Sequence, residues 1–303
     1  MEYRRLGRDG PVVPGLGLGT RPLGGSMGPV SQAQAIATVR AAIDRGITVV
    51  DTAQAFRSSE AVLGLALRDG YRQRCFLATA VSGDYSRRGI QVALEGSLRQ
   101  LGVEYVDLYQ IHGWDPRYPI AESMDALVGL QEQGKVRYLG VSNFGAAELQ
   151  QAMQDTQLWS NQVRYNLLDR QVEAWDLRFC RDHGIGVLAH SPLAKGLLAG
   201  GWWPGRVFVP ADERSSSARF PAQAAGRYAD VVERLAKLAM EHDLTLVQLA
   251  LAWVLRQEAV TCVLVGARSP EQTGEHLGAV GVQLDDEELS RVDQILRGTP
   301  VPV

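Results

Sequence analysis

The sequence predicts a (β/α)8 barrel preceded by a short β-hairpin. Short β-rich runs alternate with helical patterns over almost the whole chain, giving eight strand–helix units. Most of these runs are apolar on both faces, as strands held between an inner core and an outer helix layer must be. No GxGxxG follows the first strand with an acidic residue about 20 positions later, which disfavours the runner-up, a doubly wound open sheet. Consecutive βα units of this length close a parallel sheet into a barrel. Residues 1–303 are therefore read as one domain.

In chain order, residues 3–13 (YRRLGRDGPVV) form the hairpin, on the strength of their DG pair. The first barrel strand is GLGLGT (15–20), whose glycines have the wrong spacing for a dinucleotide fingerprint. Ser31 opens a helix in which Ile36, Val39 and Ile43 recur at helical spacing, and Gly46 ends it. ITVVDT (47–52) precedes a helix over 60–68, and CFLATA (75–80) leads to Ser86, an N-cap for a helix through Leu101. VDLYQIH (106–112) precedes a helix over 120–133, and VRYLGVSN (136–143) one from Ala146. NQVRYN (161–166) precedes a helix over 172–182. GIGVLAHS (184–191) leads through a long irregular loop to helices over 224–242 and 245–257. TCVLVG (261–266) precedes a last helix pair, with DDEEL (285–289) as an acidic first turn that suits the helix dipole. Residues 200–222 are too long for a bare connector and read as a lid, with Trp202, Trp203 and Phe208 closing over a site.

Composition narrows the function classes. The chain is 46% hydrophobic and 21% charged, with a formal net charge of -3. With no basic stripe, nucleic acid is not an expected partner. No apolar run approaches the roughly 18 residues of a membrane span, and the N-terminus lacks a signal-peptide core, so a cytoplasmic location is expected. Cys75, Cys180 and Cys262 lie far apart and read as reduced, buried thiols. His183 and His242 fall on helices and read as solvent-facing, and HGWD (112–115) lacks the second ligand a metal site needs.

In a barrel of this kind the site lies at the C-terminal ends of the strands. Those positions carry Thr20, Asp51, Ala80, His112, Ser142, Asn143, Gln162, His190, Ser191 and the turn from Gly266 to Arg268. Polar groups recur at the ends of otherwise apolar strands, which points to a ligand site for a small molecule. The stretches GLGT (17–20), DTA (51–53), SE..LG (59–64), DLYQIH (107–112), GKVRYLGVSNF (134–144), NQVRYNLLDR (161–170), GIGVLAHSPLAKGLLAG (184–200) and GARSPEQ (266–272) together resemble the aldo-keto reductase family. The resemblance implies a barrel that binds NADP(H) in extended form. It places Ser142, Asn143 and Gln162 on the nicotinamide carboxamide, with Thr20 beside them, and puts His190 where the family stacks a tyrosine on the ring. It assigns Ser191, Leu193 and Lys195 to the pyrophosphate. Gly266, Ala267, Arg268 and Ser269 would take the adenosine 2′-phosphate, which favours NADP over NAD. Gln272, Glu275 and His276 would stand at the adenine.

The same resemblance exposes a gap. The family protonates its substrate with a tyrosine, acidified by a lysine that pairs with an aspartate; a histidine orients the substrate. Asp51 and His112 match the last two, but Phe56 stands in the tyrosine's place and Ala80 in the lysine's. No tyrosine lies between Tyr3 and Tyr71 and no lysine precedes Lys135, so no local shift restores either group. Arg57 and a shortened loop beside Phe56 argue against engineered knockouts of an ordinary reductase. Losing a general acid removes about 10²–10⁴ in rate from ordinary carbonyl reduction. If Asp51 is buried without its cation, its pKa rises unless Arg21, Arg57 or His112 moves in, and a neutral Asp51 becomes a proton donor. Three functions follow. One is an NADP(H)-dependent oxidoreductase acting on an imine, iminium or other activated substrate, with Asp51, His112 or Tyr85 handling the proton. Another is a non-redox lyase, isomerase or dehydratase using His112 and Asp51. The third is an inactive NADP(H)-binding pseudoenzyme. Phe56, Ala80, Tyr85 and Trp114 are the expected substrate-pocket residues.

Overall fold

The computed structural model describes residues 1–154, 156–200, 206–217, 220 and 222–297. Two strands, β1 (Tyr3–Arg5) and β2 (Val12–Pro14), pair antiparallel as the expected hairpin. Eight parallel strands then close a barrel. They are β3 (Leu16–Gly19), β4 (Val49–Asp51), β5 (Phe76–Val81), β6 (Val106–Ile111), β7 (Val136–Ser142), β8 (Ser160–Arg164), β9 (Gly186–His190) and β10 (Val260–Gly266). Each strand pairs with the next, and β10 closes the ring onto β3. The helices are α1 (Gln32–Asp44), α2 (Ser59–Ala66), α3 (Arg87–Leu101), α4 (Ile120–Glu132), α5 (Ala146–Ala152), α6 (Asp176–His183), α7 (Ala222–Glu241), α8 (Leu246–Leu255), α9 (Pro270–Leu277) and α10 (Asp286–Leu296).

Alternation along the strands decides which side chains enter the barrel. The inner core contains Val49, Ala78, Leu108, Leu188, Cys262 and Leu264, closed below by Leu6 and Val13 of the hairpin segment. Two residues further along the same strands, the inward positions become Asp51, Ala80, Gln110 and His190. Thus an apolar layer supports a polar one at the C-terminal rim. Gly140 makes room for that layer, since a Cβ there would lie 2.2 Å from Ser160 Oγ and 3.2 Å from Gln110 Cγ.

Local signals set the helix ends. Ser31 and Ser86 accept from the backbone N–H groups of Gln34 and Gly89, satisfying donors that the first helical turn leaves free. Asp285 and Glu288 form a capping box, so the acidic run opens α10 as expected. The helix expected over 172–182 starts at Asp176, because Gln171–Glu173 forms a separate 3-10 turn. His242 is exposed as expected, and its Nδ1 lies 2.7 Å from Glu288 Oε1, tying the end of α7 to α10. His183 packs on Phe179 at a centroid distance of 4.0 Å. All three cysteines are buried free thiols, with burial raising their pKa values. At the lower rim, Asp107 accepts from Leu77 N–H and pairs with Arg72 at 2.9 Å and Arg137 at 3.0 Å. Among the described residues, no single helix is long and apolar enough to cross a membrane.

Candidate active site

The C-terminal rim holds a cavity of about 530 Å³ that runs from Asp51, Phe56 and His112 to Arg268 and His276. Asp51 ends β4 and is buried. Its Oδ1 accepts from Gln162 Nε2 at 2.9 Å and from Gln110 Nε2 at 3.3 Å. No salt bridge reaches it among the described residues: neither Arg21, Arg57 nor His112 has moved in. Two neutral carboxamides thus stand where a cation would favour the charged form, and burial pushes the Asp51 pKa up to about 7. Gln162 directs its amide donor to this carboxylate, and also lies 3.4 Å from Gln110 Oε1.

Phe56, Ala80 and Ala53 form a small apolar cluster beside Asp51. The Phe56 ring meets His112 edge-on, with centroids 5.6 Å apart. Ser82 Oγ lies 2.7 Å from His112 Nδ1, which leaves Nε2 for the cavity. Burial, then the charge of Arg21, lowers the His112 pKa, so the imidazole is neutral near pH 7. The guanidinium of Arg21, just past β3, lies over the Phe56 ring, 5.2 Å from its centroid. Its other partner is Glu213, at 2.5 Å, which also approaches Lys195 at 3.4 Å.

Further along the cavity, His190 Nε2 lies 3.2 Å from Asn143 Oδ1, and its Nδ1 lies 3.0 Å from Ser191 Oγ. Burial and the neighbouring Arg164 charge hold the His190 pKa down at about 3. Asn143 (φ 56°) and Ser191 (φ 56°) adopt the left-handed region directly after their strands. For non-glycine residues this is strained backbone of the kind that collects at functional sites. At the far end, Arg268 precedes α9 and donates to Pro29 O at 2.7 Å, while its buried Nε has no hydrogen-bond partner among the described residues. His276 Nδ1 is likewise buried and unpartnered, and burial lowers its pKa to about 4.

These features fit a phosphate-rich dinucleotide. Arg268, Arg214, Arg206 and Lys195 line one arm of the cavity, and Gly19 and Gly266 keep its floor low. A Cβ on Gly266 would lie 2.8 Å from Pro22 Cγ. Asn143, Gln162, His190, Ser191, Leu193, Lys195, Gly266, Arg268, Gln272, Glu275 and His276 all line this cavity. Thr20, Ser142, Ala267 and Ser269 are outside its lining. Thr20 Oγ1 donates to Asp51 O, and Ser142 Oγ accepts from Asn143 Nδ2.

Of the expected pocket residues, Phe56 lines the cavity, Ala80 is buried against it outside the lining, and two are placed elsewhere. Tyr85 and Trp114 border a separate cleft with Tyr118, and the Tyr85 ring packs edge-on against Tyr118 at 5.7 Å. The reason is that β5 ends at Val81 and Ser86 caps α3, which carries Tyr85 outward. Phe208 packs against Phe220 at 5.2 Å, whereas Trp202 and Trp203 lie outside the described residues. The residues added by the structure include Gln110, Glu213, Arg164, Arg206 and Arg214. Gln110 was detectable in DLYQIH, because it alternates with Leu108 and His112.

The Aldo/keto reductase family profile matches residues 15–297. The chain is 34% identical to Aldo-keto reductase YhdN of Bacillus subtilis, over 99% of this chain and 95% of that protein. It is 32% identical to the NADH-specific methylglyoxal reductase of Escherichia coli, over 96% and 97%. Among solved structures, the glycerol dehydrogenase of Gluconobacter oxydans superposes with a TM-score of 0.88 at 33% identity, covering 99% of this chain and 97% of that one. The chain belongs to the aldo/keto reductase family, a family of oxidoreductases that bind nicotinamide cofactors.

Proposed function

We propose that this protein is an NADP(H)-dependent oxidoreductase that acts on an activated carbonyl or imine carbon and takes its proton from Asp51. The observation that carries this reading is Asp51 itself: buried, bound by two carboxamides, and titrating at about 7. A general acid works best when its pKa lies near the working pH, and Asp51 meets that condition without a phenol. Phe56 and Ala80 stand in place of the family's tyrosine and lysine, and they leave a dry apolar wall beside the carboxyl group. The neutral His112, held through Nδ1 by Ser82, presents Nε2 to orient the substrate heteroatom. Reduced nicotinamide, when bound, supplies the hydride. Asp51 gives its proton to the heteroatom and regains one from water. Arg268, with its free buried Nε ahead of α9, supports a 2′-phosphate and so NADP(H). One relative is named as NADH-specific, and titration with NADPH and NADH separates the two preferences.

The test follows the reduced-cofactor absorbance with neutral aldehydes and cyclic imines. In parallel it uses the double variant Phe56→Tyr, Ala80→Lys. The variant is expected to gain aldehyde reduction by about 10²-fold or more, as restoring a general acid should. Wild-type turnover should fall as pH rises through about 7, where Asp51 loses its proton. Turnover with no absorbance change would favour the lyase reading. Tight cofactor binding with no turnover of any substrate would favour the pseudoenzyme.

A further inference from the structure

The charges in the cavity fall into two groups. Arg268, Arg214, Arg206 and Lys195 belong to the arm that suits cofactor phosphates. Arg21 and Arg164 also line the cavity, but their charges act on the opposite end. Arg21 lies over Phe56, whose ring touches His112. Arg164 ends β8 in register with His190 on β9. Among the described residues, the Arg164 side chain makes no ion pair or hydrogen bond. Arg21 shares Glu213 with Lys195, so one carboxylate faces two cations there.

The carboxylate that acts on His190 from this end is Asp169, and its effect is weaker than that of Arg164 or Arg21, so it does not offset the two guanidiniums. His112 and His190 are neutral, and the two guanidiniums are among the causes. Asp51 is held near half-neutral at pH 7. The substrate end therefore presents positive potential beside an apolar ring. Glu213 takes the Nε–Nη2 edge of the Arg21 guanidinium; the Nη1–Nη2 edge is the one that can receive a planar carboxylate in two parallel hydrogen bonds. A cationic iminium would meet like charge there.

We infer that the substrate is a small oxo acid, carrying a carboxylate near its reacting carbonyl, and that Arg21, assisted by Arg164, is the residue that selects it. The inference rests on the oxidoreductase reading above. It also fits the weak acid site, because a carbonyl beside another electron-withdrawing group needs less help from a strong proton donor. Glu213 competes with the incoming carboxylate for Arg21.

The experiment uses the protein with reduced cofactor bound. Glyoxylate is compared with neutral methylglyoxal as substrate, and binding of unreactive oxamate is followed by calorimetry. Wild type should prefer glyoxylate in kcat/KM. Arg21→Gln should cost about tenfold or more in glyoxylate kcat/KM and in oxamate affinity. Methylglyoxal kcat/KM should fall severalfold less than that of glyoxylate, the KM for cofactor should stay within about twofold of wild type, and Arg21→Lys should recover part of the loss. Glu213→Gln breaks the same ion pair but frees Arg21, so it should tighten oxamate binding. If both substitutions weaken oxamate alike, or if Arg21→Gln weakens cofactor instead, the inference is overturned. Reduction of methylglyoxal with no preference for glyoxylate also overturns it, while leaving the oxidoreductase reading intact. Arg21-dependent oxamate binding without reduction of either aldehyde supports the anion site and defeats the oxidoreductase reading.

Discussion

Replacing Asp51 with asparagine isolates the property on which the proposed chemistry rests. In the folded protein Asp51 titrates at about 7, against 3.8 for an unperturbed carboxyl. A one-unit difference is worth about 1.4 kcal/mol, so ionising Asp51 in the folded state costs about 4 kcal/mol more than in the unfolded chain. The sign follows from proton counts. Below the unfolded pKa both states hold the proton, and there is no penalty. Between the two values only the folded state holds it, so stability falls as pH rises. Above the folded value both states are ionised and the loss is complete. Asp51→Asn removes this dependence while keeping the shape and a carbonyl oxygen for Gln110 and Gln162. Urea unfolding of both proteins from pH 5 to 8 reads the effect. The stability of the variant relative to wild type should rise by about 3 kcal/mol across that window. Any fixed cost of the new amide drops out, because only the change with pH is compared. A difference that stays flat from pH 5 to 8 would refute the argument, for it would mean that Asp51 ionises normally and holds no proton for catalysis.

Two further substitutions probe other parts of the molecule. Arg268→Ala should weaken NADPH binding by about 10- to 100-fold, the worth of a charge-assisted contact, and leave NADH binding nearly unchanged; titration of cofactor fluorescence measures both. Asp107→Ala leaves Arg72, which is 12% exposed, without its carboxylate at the lower rim. Removing one partner of a buried pair costs about 3–5 kcal/mol, so the urea midpoint should drop while KM values hold.

The barrel was legible because its signals are repetitive and local. Apolar strands, Ser31 and Ser86 at helix starts, and the DG hairpin each act over a few residues. The polar strand ends were legible for the same reason: Asp51, His112, Gln162 and His190 all reach the cavity. What stayed hidden depends on contacts between distant segments. Gln110 and Gln162 are 52 positions apart, yet both bind one carboxylate oxygen. Arg21 was a candidate partner for Asp51, but the structure stacks it on Phe56 and pairs it with Glu213, 192 positions away. Nothing in the spacing of either residue records that choice. Tyr85 was misplaced by a boundary effect, since the turn between Val81 and Ser86 rotates it away from the rim.

On the proposed reading, Phe56 and Ala80 are not simply holes in an otherwise ordinary site. Had only the lysine been lost, a buried Asp51 and an unassisted phenol would have remained, each unfit for proton transfer near neutral pH. With Phe56 and Ala80 both apolar, the carboxyl group becomes the titratable group left in the dry wall, and its carboxamide partners tolerate either protonation state. The carboxamide donors favour the carboxylate and so lower the Asp51 pKa, but by less than burial raises it, whereas a lysine cation would have favoured the charged form more strongly. Gln110 and Gln162 thus do more than fill the vacated space. On the proposed chemistry they would let Asp51 cycle between protonated and ionised forms without rearranging the strands that hold it, which is what a proton donor at the end of a rigid barrel strand requires.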